Sequence, residues 1–320
     1  MGPVTAVWID VTEESAVGAV RRAAVDRARA AGLPEGRVAE VAIVAAELAA
    51  NVQRHAGSGT VLVRRGTAHV EIVAVDSGPG FDPPPVEGLS TRGGLGIGLG
   101  AITRLSDSFD VYSRPGLGTV FAVRMGEPAP LDITGLTRPM PGEDLGGDAY
   151  AWRTDDDTIS LLLCDGLGHG PLAASAAGAA VRAFEEAAAG PPAQLVKHVH
   201  GEISHTRGVA VAIAQAGGGT LTFAGLGNIA ATVVHRGDHR GLISLPGIAG
   251  HRAAAIRQYD YPLPPGALIV MHTDGLRQRW TFGDYPGLVT RRSPVIAGTL
   301  LRDLGVRRDD AGVLVARMPS

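Results

Sequence analysis

The chain reads as an α+β protein of two domains, and three observations lead there. Its 320 residues are about twice the ~150 residues of an ordinary domain. Residues 1–125 alternate in periodicity as helix, helix, strand, strand, loop, helix, strand, strand, an order that packs helices on a sheet. After residue 135 strands dominate, and several of them deliver aspartate to their exposed ends.

In the first half, residues 13–31 predict a helix that Gly32-Leu33-Pro34 stops. Residues 37–55 predict a second, with Val38, Val41, Ala45, Leu48 and Val52 in one apolar stripe. Strand periodicity follows over 60–65 and 69–75, carried by Val61, Val63, Val70, Ile72 and Val73. Asp76 closes that strand and a Gly/Pro-rich loop runs to about Gly94. A short helix is expected from Ile97 to Ser106, then strands over Phe109–Tyr112 and Thr119–Met125 around the turn Arg114-Pro115-Gly116.

Residues 126–135 carry two Pro and two Gly without periodicity and predict a linker. Beyond it, strands are expected over 147–152, 158–164, 209–215, 220–225, 229–235, 267–273 and 312–317. Helices are expected over 172–189, 194–205 and 294–304.

Apolar residues make up 45% and charged residues 19%, the proportions of a folded globular protein. A net charge of −3 gives no field for nucleic acid or an anionic membrane. The one cysteine, Cys164, excludes an internal disulfide. No apolar run approaches the ~18–20 residues of a membrane span. Met1–Trp8 lacks a basic region followed by an apolar stretch, so a cytoplasmic location is expected.

Two constellations carry chemistry. Glu47, Asn51 and His55 recur every four residues and so share one row of the second helix. Asp76-Ser77-Gly78-Pro79-Gly80 follows an apolar strand, placing a carboxylate where backbone can close on a ligand. Gly93-Gly94-Leu95-Gly96-Ile97-Gly98-Leu99-Gly100 opens a helix, where free amides suit phosphate. A dinucleotide fingerprint would need a strand directly before these glycines; a loop stands there instead.

In the second half the acidic motifs are Gly147-Asp148, Asp165-Gly166-Leu167-Gly168-His169-Gly170, Asp274-Gly275 and Asp309-Asp310. ISLLLC precedes Asp165 and ALIVMH precedes Asp274, so strands hold both ligands rigidly. Carboxylate ligation favours Mg²⁺ or Mn²⁺ over zinc. A pair of such ions activates water for in-line attack on a phosphoryl group.

ELAANVQRHAGSG, DSGPGFD, GGLGIGLGAITRLSDSF and GLGTVF, in this order, resemble the GHKL (Bergerat-fold) ATPases, and within them the RsbT/RsbW/SpoIIAB switch kinases. The GGLGIGL string looks most like the RsbT type. PGEDLGGDAYAW, LLLCDGLGHGPLAASAA, GLGNIAA, VMHTDGL and RDDAGVLVAR resemble the metal-dependent PPM phosphatases of the SpoIIE/RsbX branch. The resemblance implies a GHKL α/β sandwich over 1–125, with a mixed sheet covered by helices. After a linker over 126–135, it implies a PPM β-sandwich flanked by helices over 136–320.

The likeness further implies ATP and Mg²⁺ in the first domain and two Mn²⁺ or Mg²⁺ in the second. Glu47 would be general base and Asn51 would hold Mg²⁺. Asp76 would bind the adenine amino group, with Gly78 and Gly80 shaping its pocket. Gly94, Gly96 and Gly98 would line the phosphates, and Thr119 would sit on the adenine side. Asp148, Asp165, Asp274, Asp309 and the Gly166 carbonyl would be metal ligands, with Asp309 chosen over Asp310. His169 would help protonate the leaving group, and Asn228 reads as a turn or strand-end residue. The implied partner is a STAS-domain anti-anti-sigma or stressosome protein, phosphorylated by one half and dephosphorylated by the other. Contact with another phosphatase or a sigma-regulatory protein belongs to the same likeness. Three alternatives stay open: a phosphatase with a non-catalytic ATP-sensing module, an anti-sigma factor, and a metal hydrolase of small phosphate esters.

Overall fold

The computed structural model describes residues 6–81, 97–253, 255–306 and 308–319. The chain divides into two compact units: Met1–Pro130 with Thr290–Arg302, and Leu131–Val289 with Asp303–Ser320.

The first unit is one sheet with helices on a face. Its elements are β1 (Ala6–Val11), α1 (Ser15–Ala30), α2 (Glu35–Asn51), β2 (Gly59–Arg65), β3 (His69–Asp76), α3 (Ile97–Leu105), β4 (Ser108–Arg114) and β5 (Gly118–Gly126). The strand order is β1-β2-β3-β5-β4. Every ladder in this sheet is antiparallel, where the sequence reading expects a mixed sheet. The β2–β3 and β4–β5 connections are tight turns, which force antiparallel neighbours, and the unanticipated β1 adds antiparallel to the edge.

Alternation decides the faces. Val61, Val63, Val70, Ile72, Ala74, Phe121, Val123 and Met125 pack beneath Val20 and Ala24 of α1 and Val41, Ala45 and Leu48 of α2. Burying each Val or Leu there contributes about 1.5–3 kcal/mol before the entropy of ordering is set against it. After Asn51 the helix widens into a π turn, Val52–Ala56, in place of the regular α-helix expected through residue 55. On the opposite face Glu71 stands directly between Arg64 and Arg124 of the flanking strands. Arg64 Nε donates to its carboxylate at 2.6 Å and Arg124 Nη2 at 2.5 Å.

The second unit stacks two sheets. Its strands are β6 (Asp132–Arg138), β7 (Asp148–Asp155), β8 (Thr158–Gly166), β9 (Val209–Gly217), β10 (Thr220–Leu226), β11 (Ala230–His235), β12 (Asp238–Gly241), β13 (Ser244–Leu245), β14 (Gly247–Ile248), β15 (Arg252–Ala253), β16 (Tyr259–Pro262), β17 (Leu268–His272) and β18 (Ala311–Arg317). One sheet runs β13-β10-β9-β8-β7, with β16 also on β10, and the other runs β12-β11-β17-β18-β6. Leu161 and Leu163 of β8 point into the sandwich with Phe223, Ile269, Met271 and Leu314. The intervening Leu162 and Cys164 meet Ala176, Ala180 and Phe184 of α4 (Pro171–Glu186) and Val196 and Val199 of α5 (Pro192–Glu202). Apolar demands on both faces explain why β8 reads as an unbroken apolar run. Of the stretch expected as a linker, Gly126 closes β5 and Asp132 opens β6, leaving Glu127–Leu131 between them.

The last helix, α6 (Ser293–Leu304), lies far along the sequence, yet Thr290–Arg302 counts with the first unit. Gly298 makes the approach close: a Cβ there would stand 2.9 Å from Val120 Cγ1 and 3.4 Å from Val73 Cγ1. Asp110 accepts the Arg292 amide at 2.6 Å and Arg291 Nη1 at 3.4 Å. Arg302 Nη1 donates to the Asp76 carbonyl at 3.1 Å. No described helix is long and apolar enough to cross a membrane.

Candidate active sites

In the first unit the row on α2 faces the opening of α3. Glu47 and Asn51 are both half-exposed. Gly98, in the first turn of α3, lies against them, and a Cβ on it would collide with Glu47 Oε2 while standing 3.9 Å from Asn51 Oδ1. A methyl group there would have to push the end of the Glu47 side chain aside. Arg54 Nη2 lies 3.6 Å from Glu47 Oε2, a partner absent from the sequence reading.

Asp76 ends β3 buried, at 8% exposure. Its Oδ1 accepts the Gly78 amide at 2.9 Å and the Thr119 amide at 3.2 Å. Burial pushes its pKa up, against the pull of those two amides. Thr119 also shares a 2.9 Å hydrogen bond between hydroxyls with Ser113. Gly80 takes φ +61, and any Cβ there would strike the Arg114 carbonyl. Glu47, Asn51 and Gly98 thus form one cluster, and Asp76, Gly78 and Thr119 another. Gly94 and Gly96 lie outside the described residues. The His55 charge acts on Asp76, which places that histidine in the neighbourhood of the second cluster.

In the second unit the strand ends bring acid together. Asp148 opens β7 directly opposite Asp165 at the end of β8. Thr273 Oγ1 donates to Asp148 Oδ2 at 2.8 Å, whereas the buried Oδ1 has no hydrogen-bond partner. Burial and then the neighbouring Asp165 charge raise Asp148 well above the usual carboxylate range. Asp165 is pushed up to about 7 by burial and then by Asp274 and Asp309. Asp309 is raised as well, first by burial and then by Asp274.

Among the described residues no three Asp, Glu, His or Cys side chains stand in ligating geometry for one ion. The four carboxylates are electrostatic neighbours rather than a closed cage. The donor set still fits a hard divalent cation: oxygen ligands only, mutual repulsion, and one buried carboxylate oxygen left bare. The Gly166 carbonyl lies among them, 3.1 Å from where a Cβ on Gly147 would stand.

Three side chains here were not anticipated from the sequence. Asn228 Nδ2 donates to Asp274 Oδ2 at 2.6 Å; the signal was the tight Gly-Leu-Gly-Asn turn, where Gly227 takes φ +105. Thr273 holds Asp148 from the residue preceding Asp274. Glu143 Oε1 lies 3.0 Å from His169 Nδ1, and His169 in turn acts on Asp309.

The model of the family described as Stage II sporulation protein E (SpoIIE) matches residues 155–319. The chain belongs to the SpoIIE family. The model of the histidine kinase-like ATPase domain matches residues 11–125, ahead of the SpoIIE part. The serine/threonine-protein kinase RsbT of Bacillus subtilis (strain 168) is 38% identical over 90 residues, covering 25% of this chain and 66% of RsbT. The chain therefore spans just under two thirds of that relative's length. A solved structure from work on the bacterial stressosome as a modular system adapted to control secondary-messenger signalling is similar at 26% identity and TM-score 0.55. It covers 59% of this chain and 100% of that one. The crystal structure of RsbX in complex with magnesium shares 19% identity at TM-score 0.50, covering 60% of this chain and 98% of RsbX. That likeness concerns the fold alone. The α+β class, the GHKL-type first half and the phosphatase-type second half expected from the sequence are all present.

Proposed function

We propose that this SpoIIE-family chain both phosphorylates and dephosphorylates a serine or threonine on a STAS-domain partner of the stressosome kind. The observation that carries this reading is the coexistence of two separate sets of candidate donors in one chain. Glu47, Asn51 and Asp76 serve one, and Asp148, Asp165, Asp274 and Asp309 serve the other. The 38% identity to RsbT and the similarity to a stressosome structure support the kinase half and the partner class.

In the kinase step the acceptor hydroxyl oxygen attacks the γ-phosphorus of ATP as the bond to the β,γ-bridging oxygen breaks, leaving ADP. Glu47 takes the hydroxyl proton, and Asn51 would hold Mg²⁺, which would neutralise phosphate charge there. Asp76 receives the adenine amino group beside the Gly78 and Thr119 amides. Gly98 lets α3 present its first-turn amides toward the phosphates.

In the phosphatase step water attacks the phosphoserine phosphorus and the serine oxygen leaves, taking up a proton, to give serine and inorganic phosphate. Asp148, Asp165, Asp274, Asp309 and the Gly166 carbonyl would hold two Mg²⁺ or Mn²⁺. Such cations supply charge neutralisation and activation of the attacking water. Thr273 and Asn228 keep Asp148 and Asp274 oriented. The two steps run together only consume ATP, so they act in alternation.

The test is direct. The purified chain is given labelled ATP and a STAS-domain protein, and separately the pre-phosphorylated STAS-domain protein with Mn²⁺. Label transfer in the first assay and phosphate release in the second are expected. Release without transfer would reduce the first unit to a nucleotide-sensing module; hydrolysis of small phosphate esters in preference to the phosphoprotein would favour a general ester hydrolase.

A further inference from the structure

Large apolar side chains are rarely exposed in clusters without a reason. Among the described residues of the second unit five are exposed: Leu145 at 52%, Leu167 at 43%, Leu172 at 57%, Val306 at 40% and Ile243 at 51%. Four of the five flank the acidic cluster. Leu145 precedes Asp148 by three positions, Leu167 follows Asp165 by two, Leu172 sits in the first turn of α4, and Val306 precedes Asp309 by three.

The segments carrying them are bound to one another. The Gly166 amide donates to the Gly147 carbonyl at 2.9 Å and the Leu167 amide to the Gly208 carbonyl at 3.1 Å. Glu143 reaches His169 at 3.0 Å, joining the Leu145 segment to the loop that leads into α4. The Val306 amide donates at 2.7 Å to the carbonyl of Gly275, the neighbour of Asp274. Arg207 stands on the same rim. It is exposed, its Nη1 lies 3.4 Å from where a Cβ on Gly168 would be, and it has no ion pair among the described residues.

We propose that Leu145, Leu167, Leu172 and Val306 form an apolar collar that docks a protein segment carrying apolar side chains on both sides of its phosphoserine. The proposal rests on the phosphatase reading of the second unit. A phosphoryl dianion suits the cations that the carboxylates would hold and the Arg207 guanidinium on the rim, which has no ion pair among the described residues. A polypeptide extending to either side then covers the leucines, which a small phosphate ester is too short to reach. Selectivity for the substrate thus lies in the flanking apolar side chains, each exposed leucine being worth about tenfold in apparent affinity once covered.

The full chain with Mn²⁺ is assayed on p-nitrophenyl phosphate and on two phosphoserine peptides of equal charge. One peptide has leucines on both sides of the phosphoserine and the other has serines. The wild type is expected to favour the leucine peptide by at least about tenfold in kcat/KM. Leu145→Ser combined with Leu172→Ser is expected to raise KM for the leucine peptide to that of the serine peptide, with p-nitrophenyl phosphate turnover within about twofold. Leu167→Ser, on the neighbouring loop, gives a second variant with the same selective loss expected. Equal hydrolysis of the two peptides by the wild type overturns the collar, as does parallel loss of p-nitrophenyl phosphate turnover in both variants. No hydrolysis of any of the three substrates overturns the phosphatase reading and the collar with it.

Discussion

The Asp310 carboxylate accepts the Gly147 amide at 2.6 Å, one residue before Asp148. Its other oxygen accepts the Met140 amide at 2.7 Å, and the side chain is buried at 3% exposure. Both oxygens are therefore committed to the loop that presents Asp148. Asp309 is half-exposed and, among the described residues, accepts the Asp310 amide at 3.0 Å. Asp310→Asn should lower the stability of the chelator-treated protein by about 1–3 kcal/mol, because a buried amide loses its charged acceptor. Asp309→Asn should leave stability within about 0.5 kcal/mol yet weaken Mn²⁺ binding. Calorimetric unfolding and metal titration separate the two.

Gly98→Ala should silence phosphoryl transfer selectively. The added methyl group meets Glu47 Oε2, so either the carboxylate or the start of α3 must shift. A displacement of this size costs about 100-fold in a reaction that depends on positioning. Label transfer from ATP should fall by that factor while phosphoserine hydrolysis stays unchanged.

The first unit should be acid-sensitive in two stages. Burial, then the Arg124 charge, pushes His69 down to about 4. A depressed histidine contributes stability above its unfolded value near 6.5, lost as pH falls towards 4. Burial alone would raise Glu71, but Arg64 and Arg124 outweigh it and hold it at about 2. Its contribution is present above about 4.5 and is lost as pH falls to about 2. Protection factors of the β2, β3 and β5 amides in the full chain, corrected for the intrinsic pH dependence of exchange, should fall from below pH 6.5. His69→Gln should remove the upper stage, and Glu71→Gln should cost about 3–5 kcal/mol at pH 7 by leaving two arginines without their buried partner.

Gly298→Val should destabilise the sheet of the first unit by about 1–3 kcal/mol through overpacking against Val73 and Val120. Thermal unfolding with protection of the β3 and β5 amides reads this out. A neutral result would mean that α6 does not need its close approach to the sheet.

Local pattern made much of this legible beforehand. The stripe Val38, Val41, Ala45, Leu48 announced α2 because one face meets a sheet and the other meets water. The apolar run before Asp165 announced β8 because both its faces are buried. Long-range partners were not legible. The destination of α6 depends on Gly298 meeting Val120 and Val73, far back in the chain, and no local periodicity encodes that. β1 and β6 were missed because short strands preceding helices or linkers carry little alternation of their own. Asn228 read as a turn residue since its spacing to Asp274 exists only after β11 and β17 have paired.

Two single-site variants test most directly whether one chain holds two opposed activities. Labelled ATP, Mg²⁺, Mn²⁺ and the STAS protein are given to the wild type, Glu47→Ala and Asp165→Asn, and phospho-STAS is followed with time. Asp165→Asn should accumulate phospho-STAS, and Glu47→Ala should make none yet strip phosphate from STAS protein phosphorylated in advance. If Asp165→Asn accumulates no phospho-STAS while pre-phosphorylated STAS protein is still hydrolysed by the wild type, the kinase half of the account is contradicted.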